Sequence, residues 1–116
     1  MPYHYFVYKR LMIEIQQRVP RLALKKRESD EDKLSVLDFG AGLGSGMWAA
    51  VHCYGKHQLL RGAAVEPNGN MRKLGKFLMK ELDEEDQVLW VDSLAMIPGS
   101  GGERGKFDIV ILGYVL

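Results

Sequence analysis

The chain has 116 residues, of which 47% are apolar and 27% charged, and its formal net charge is +1. This length suits one compact domain, and the near-zero charge gives the chain as a whole no strong reason to bind nucleic acid. The single cysteine, Cys53, excludes an internal disulfide and a multi-cysteine metal site. No stretch reaches the roughly 18 apolar residues that a membrane span needs, so neither metal nor membrane is expected.

The N-terminal segment predicts an amphipathic helix and then a charged linker. Apolar residues at spacings of three and four form one helical face that Pro20 ends: Tyr5, Tyr8, Met12, Ile15 and Val19. Basic residues from Arg18 to Arg27 and then acidic residues follow without periodicity, which predicts a solvated linker; a contact with RNA phosphates is the alternative interpretation. We therefore expect helix and linker over residues 1–33 and a second unit over residues 34–116.

From residue 34 onward the pattern predicts alternating strands and helices. The predicted strands cover residues 34–39, 62–66, 87–91 and 107–112. One predicted helix covers residues 45–54, and Asn68 caps another that runs to about residue 82. The second helix would bury a stripe of Met71, Leu74, Leu78 and Leu82, with Met79 of the same helix also in the core. Trp48, Trp90 and Cys53 are expected to pack in or near the core. Such alternation favours a parallel sheet with helices on its faces.

A glycine-rich turn follows the first predicted strand, in the segment VLDFGAGLGSG at residues 36–46. Glycine at positions 40, 42 and 44 lets a nucleotide approach the backbone, and the helix that follows presents free N–H groups to it. Glu66 ends the second strand and can accept hydrogen bonds from ribose hydroxyls, whereas Asp92 follows the third and can accept one from an adenine amino group. Because the carboxyl ends of parallel strands share one edge, these residues predict successive contacts along one ligand.

The predicted ligand is S-adenosylmethionine (SAM) and not a dinucleotide. The dinucleotide fingerprint needs glycine at the sixth position of G-x-G-x-x-G, where this chain has Ser45 counted from Gly40 or Met47 counted from Gly42. Asp38, directly before the turn, would repel a pyrophosphate but suits the positively charged sulfonium and ammonium groups of SAM.

Four segments resemble the motifs of class I SAM-dependent methyltransferases: LDFGAGLGSGMWAA, AVEPNGNM, LWVDSL and FDIVILGYVL. Within that superfamily the chain is most similar to the Rsm-type mitochondrial small-ribosomal-subunit methyltransferase-like family. The similarity rests on Trp48-Ala49 after the turn, on a Tyr-rich helix ending in Arg18-Val19-Pro20, and on Gly113-Tyr114 after the fourth strand. The clustered cysteines of that family, which form an iron–sulfur or zinc site, are not in this sequence.

The resemblance implies an α/β, Rossmann-like class I methyltransferase fold with a parallel sheet of order 3-2-1-4 and flanking helices. It implies SAM as cofactor, no metal in this chain, a mitochondrial location, and small-subunit rRNA with ribosomal or assembly proteins as partners. No catalytic residue is assigned. The cofactor-binding candidates are Asp38, Gly40, Gly42, Gly44, Glu66, Pro67, Met71, Asp92, Ser93 and Gly113.

Three functions stay open at this point. The chain could serve a methyltransferase that acts on rRNA, a catalytically inactive ribosome assembly or structural factor, or an unrelated small-molecule methyltransferase. The fourth predicted strand is apolar on both faces, which is typical of the interior of a parallel sheet, yet it would lie at an edge. We therefore expect the incomplete N-terminal half of the fold, with the remainder of a longer chain or a partner covering that edge.

Overall fold

A four-stranded parallel sheet organises the computed structural model, which describes residues 2–55, 58–83, 87–98 and 106–113. Its strands are β1 (Leu34–Phe39), β2 (Leu59–Val65), β3 (Val88–Val91) and β4 (Ile109–Leu112). The order across the sheet is β3-β2-β1-β4, and every neighbouring pair is parallel. The predicted order 3-2-1-4 is confirmed, although β2 begins three residues before its predicted start.

Three α-helices accompany the sheet: α1 (Pro2–Arg18), α2 (Ser45–Tyr54) and α3 (Gly69–Met79). The predicted cap of α3 is confirmed, because Asn68 Oδ1 accepts hydrogen bonds from the backbone N–H groups of Asn70 and Met71 at 3.0 and 3.1 Å. Short 3₁₀ helices cover Pro20–Leu22 and Leu94–Met96. None of the helices in the described ranges is long and apolar enough to cross a membrane.

All three helices contribute to one core cluster on a single face of the sheet. Met12 of α1, Met47 of α2 and Met79 of α3 are buried there against Leu34 and Val36 of β1. Side chains that alternate with these point to the opposite face, where a smaller cluster forms around Leu37, Ala63, Val65, Val91 and Ile97. The second face is the less covered one, since Val110 is 52% exposed and Leu112 is 63% exposed.

The buried stripe of α3 differs from the predicted one. Leu74 and Leu78 are 47% and 41% exposed, whereas Met79 is buried as predicted and Gly75 is buried beside it. The reason is the ring of Trp90 on β3, which lies where a Cβ on Gly75 would be, at 2.5 Å from Cη2. The absence of a side chain at Gly75 lets this face of α3 pack against Trp90. Leu74 and Leu78, each one position before a buried residue, therefore point outward.

Arg27 is buried, so the segment between α1 and β1 is not the purely solvated linker that its charges predict. The Arg27 guanidinium donates to the backbone carbonyls of Asp32, Arg21 and Ala23 at 2.8–2.9 Å. Tyr54 of α2 donates its hydroxyl to the Leu22 carbonyl at 2.7 Å. These bonds fasten the segment to itself and to α2.

Candidate functional site

The predicted glycine turn connects β1 to α2 and has an unusual backbone. Gly40, Gly42 and Gly44 have φ angles of 73°, 58° and 92°, a region that L side chains rarely adopt. The N–H groups of Gly40 and Ala41 donate to the Val65 carbonyl at 2.9 and 3.0 Å, so the start of the turn is bonded to the end of β2. The local sequence predicts this turn because only glycine satisfies three such positions without strain.

Glu66 fastens the middle of the turn from the neighbouring strand. Its Oε1 accepts from Gly42 N–H and its Oε2 from Asn68 N–H, each at 2.9 Å. Arg72 donates to the carbonyls of Glu66 and Pro67 at 2.7 and 3.0 Å, which holds the same loop from α3. The carboxylate therefore bridges the glycine turn and the start of α3.

A cavity of about 790 Å³ opens beside this bridge at the carboxyl edge of the sheet. Seven predicted residues line it, namely Gly40, Gly42, Glu66, Pro67, Met71, Asp92 and Ser93. Glu66 and Asp92 are the charged side chains of this lining, and both are acidic. Among the residues that the structure describes, the lining therefore offers acceptors for hydroxyl and amino groups and no cation for a phosphate.

Four further lining residues are not among the predicted ones: Phe39, Val65, Leu94 and Ala95. Phe39 and Val65 are the last residues of β1 and β2, and a rule that takes the final residue of each strand into the site would have included them. Leu94 and Ala95 lie in the 3₁₀ helix after β3, which no feature of the sequence predicts. These side chains make part of the cavity wall apolar.

Asp38 does not line the cavity. Its carboxylate is buried, accepts a hydrogen bond from Met47 N–H at 3.2 Å, and so points to the first turn of α2. Burial raises the pKa of Asp38 from 3.8 to about 6, the Met47 hydrogen bond opposes this, and the charge of Glu66 adds to it. The structure places the Asp38 carboxylate beneath the first turn of α2 and outside the described cavity lining.

Gly44 and Gly113 also lie outside the lining, and each makes room for an aromatic side chain. A Cβ on Gly44 would lie 3.0 Å from Cη2 of Trp90, and one on Gly113 would overlap the hydroxyl of Tyr8. Trp90 and Trp48 both pack against the core, as predicted. The buried Nε1 of Trp48 has no hydrogen-bond partner among the described residues.

The cysteine and histidine of α2 have partners on α1. Cys53 is half-buried with its thiol 3.8 Å from the Lys9 carbonyl, and burial raises its pKa. His52 Nδ1 lies 2.6 Å from the Tyr5 hydroxyl. Within the described part of the chain, no three side chains of the metal-binding types come together.

The strand order, the one-sided helices and the turn together define a class I methyltransferase fold. YcgJ protein from Bacillus subtilis matches it with a TM-score of 0.56 and 18% identity, over 90% of this chain and 36% of that protein. PKMT2 from Rickettsia typhi, in complex with AdoHcy, matches with a TM-score of 0.52 and 21% identity, over 92% and 18% of the two chains. At such identities the likeness shows the fold alone, and the chain spans at most about a third of the length of these structures.

The family model described as mitochondrial small ribosomal subunit Rsm22 matches residues 1–116, so the chain belongs to the Rsm22 family. The resemblance stated from the motifs is thereby confirmed. A comparison with curated proteins gives no match.

Proposed function

We propose that the chain is the cofactor-binding part of a methyltransferase-like component of the mitochondrial small ribosomal subunit or of its assembly. The observation that carries the proposal is the cavity at the glycine turn, which has carboxylates after two neighbouring strands and no cation among its described lining residues. The family description supports the ribosomal and mitochondrial part. The AdoHcy bound to PKMT2 of Rickettsia typhi supports a SAM-type ligand for this fold.

In this proposal, Glu66 and Asp92 recognise the nucleoside. Each carboxylate oxygen of Glu66 already accepts one N–H and has a second lone pair, so both can still accept a ribose hydroxyl. Asp92 accepts from the adenine amino group, with Ser93 beside it. Met71 and Pro67 pack against the base, and Gly40 and Gly42 let the ligand approach the backbone.

Asp38 and Gly44 act through other groups. Asp38 holds Met47 N–H at the first turn of α2 and thereby orients the end of the glycine turn. Gly44 allows Trp90 to support that turn from below. Bound SAM would supply the transferable methyl group, and the chain's own residues would bind and orient it.

Small-subunit rRNA is the methyl acceptor we propose. Methyl transfer from SAM depends mainly on holding the acceptor in line with the sulfonium, so a cavity whose described lining contains no histidine, lysine or tyrosine is compatible with it. The same lining also suits an assembly factor that binds SAM and transfers nothing. The experiment must therefore distinguish an rRNA methyltransferase from an inactive assembly factor.

Calorimetry of the full chain with SAM tests the proposal. We expect binding by the unmutated chain and a loss of about tenfold or more in Glu66→Ala, because a hydrogen bond to a carboxylate contributes about 1.5–3 kcal/mol. Gly42→Arg should abolish binding, since its backbone has a positive φ and its side chain would enter the cavity. Glu28→Ala, at an exposed acid paired with Lys26, is the matched control and should bind normally.

No binding by the unmutated chain would overturn the cofactor assignment. Where SAM binds, labelled SAM and small-subunit rRNA separate the two functions. Incorporation of label that Glu66→Ala abolishes supports the enzyme, and binding without incorporation supports the assembly factor. Thermal unfolding of each variant checks that the fold is retained.

A further inference from the structure

Tyr8 of α1 reaches the carboxyl edge of the sheet. Its hydroxyl lies against Gly113, directly after β4, so closely that a Cβ there would overlap the phenol oxygen. The ring is half-buried and packs on the core formed by the three helices and the sheet. A residue of α1, the helix that precedes the first strand, therefore lies at the same edge of the sheet as the cavity.

The register of the sheet relates Tyr8 to the cavity. Phe39 of β1 pairs with Leu112 of β4, so the next residues, Gly40 and Gly113, leave the two strands side by side. Neighbouring strands lie about 4.8 Å apart. Gly40 lines the cavity, and the Tyr8 hydroxyl contacts Gly113 at the end of the adjacent strand, just outside that lining.

Two acidic residues follow adjacent strands along this edge of the sheet. Asp92 follows β3 and Glu66 follows β2, and these are the carboxylates to which we assign the nucleoside. A ligand that is held there and continues past Gly40 at the end of β1 reaches β4, the next strand in the sheet. The part of SAM that lies beyond the ribose is its sulfonium with the methyl group.

We propose that Tyr8 binds the sulfonium end of SAM and thereby distinguishes SAM from its product S-adenosylhomocysteine. The inference rests on the proposed cofactor function. The face of a phenol ring and its oxygen are both electron-rich, so they attract a sulfonium cation and gain little from the neutral thioether of the product. Helix α1 is then part of the ligand site, and the glycine at position 113 is required to admit the tyrosine.

The test compares affinities for the two ligands by calorimetry on the full chain. Tyr8→Leu removes ring and hydroxyl, and we expect it to weaken SAM by about fivefold while changing S-adenosylhomocysteine less than twofold. Tyr8→Phe keeps the ring and should lose a smaller part of the preference. Tyr5→Phe is the matched control on the same helix, because the Tyr5 hydroxyl bonds to His52; its ratio of affinities should equal that of the unmutated chain.

Gly113→Ala provides a second variant that leaves Tyr8 in the sequence but displaces its hydroxyl. It should lower the preference for SAM in the same direction as Tyr8→Leu. An unchanged ratio in both Tyr8→Leu and Gly113→Ala, with thermal unfolding showing folded protein, would overturn the inference and leave SAM binding intact. Absence of SAM binding in the unmutated chain would overturn the proposed function and this inference with it.

Discussion

At the scale of single residues, Asp38 shows how a local motif and its environment combine. The sequence places a carboxylate next to the glycine turn, and the fold buries it beneath the first turn of α2. A buried carboxylate costs free energy when it is ionised, and a single backbone N–H compensates only part of this cost. The raised pKa of Asp38 is the result.

This pKa shift predicts how stability depends on pH. The folded pKa of about 6 lies above the ordinary value of 3.8, so the folded chain holds more protons between these values. Its free energy of unfolding therefore falls as pH rises through this window, in total by about 3 kcal/mol. Asp38→Asn cannot ionise, so we expect it to exceed the unmutated chain in stability above pH 7 and to lose that advantage toward pH 4.

Urea unfolding of both proteins from pH 4 to pH 8, followed by circular dichroism, measures this difference. Asp30→Asn, at an exposed carboxylate paired with Lys33, is the control and should show no comparable trend. A stability difference between Asp38→Asn and the unmutated chain that stays constant over the range would contradict the prediction.

At the scale of elements, Trp90 connects three parts of the site. Its ring lies between Gly44 at the start of α2 and Gly75 in the middle of α3, while its backbone belongs to β3. The glycine turn and α3 therefore rest on one side chain. Any change that moves the ring is expected to disturb both.

Gly75→Ala tests this arrangement. Alanine favours a helix over glycine by about 1 kcal/mol, but the new methyl would lie 2.5 Å from Trp90 Cη2 and 3.3 Å from the Leu43 carbonyl oxygen. Overpacking of this kind costs about 1–3 kcal/mol, so we expect a net loss of stability and a shift in tryptophan fluorescence. Gly69→Ala is the control on the same helix, since its nearest neighbour, at 3.5 Å, is the flexible end of Arg72. Equal melting temperatures for the two variants would contradict the packing argument.

At the scale of the whole molecule, the two faces of the sheet are unequal. All three α-helices of the described residues lie on one face, and Val110 and Leu112 of β4 are exposed on the other. Parallel sheets are ordinarily covered on both faces. The fourth strand thus has the apolar character that its sequence predicts, but only the half that faces the helices is buried.

We expect the 116-residue chain to self-associate through this face. Sedimentation velocity at about 100 µM should show oligomers, because exposed apolar strands at a sheet edge pair readily. Replacing Val110 and Leu112 together with lysine should restore a monomer. Leu24→Lys, at an exposed leucine in the segment between α1 and β1, should not. A monodisperse monomer of the unmutated chain would argue against the prediction.

The sequence predicts those parts of the molecule that depend on local order along the chain. The turn at Gly40–Gly44 and the Asn68 cap follow from neighbouring residues, whereas the strand order is what the resemblance to class I methyltransferases implies. Burial of Arg27, the direction of Asp38 and the outward turn of Leu74 depend on partners that are distant in sequence or on packing between elements. The contact between Tyr8 and Gly113 joins residues 105 positions apart, and no local pattern contains it.

The bridge made by Glu66 has a consequence for amide hydrogen exchange. Gly42 and Asn68 both donate their N–H to this one carboxylate, although they belong to different loops. When the Glu66 carboxylate moves away from the turn, both N–H groups lose their acceptor at the same time. The hydrogen-exchange rates of the two amides should therefore rise and fall together. A ligand that fills the cavity and fixes Glu66 would slow the exchange of both amides, so the two rates report whether the cavity is occupied.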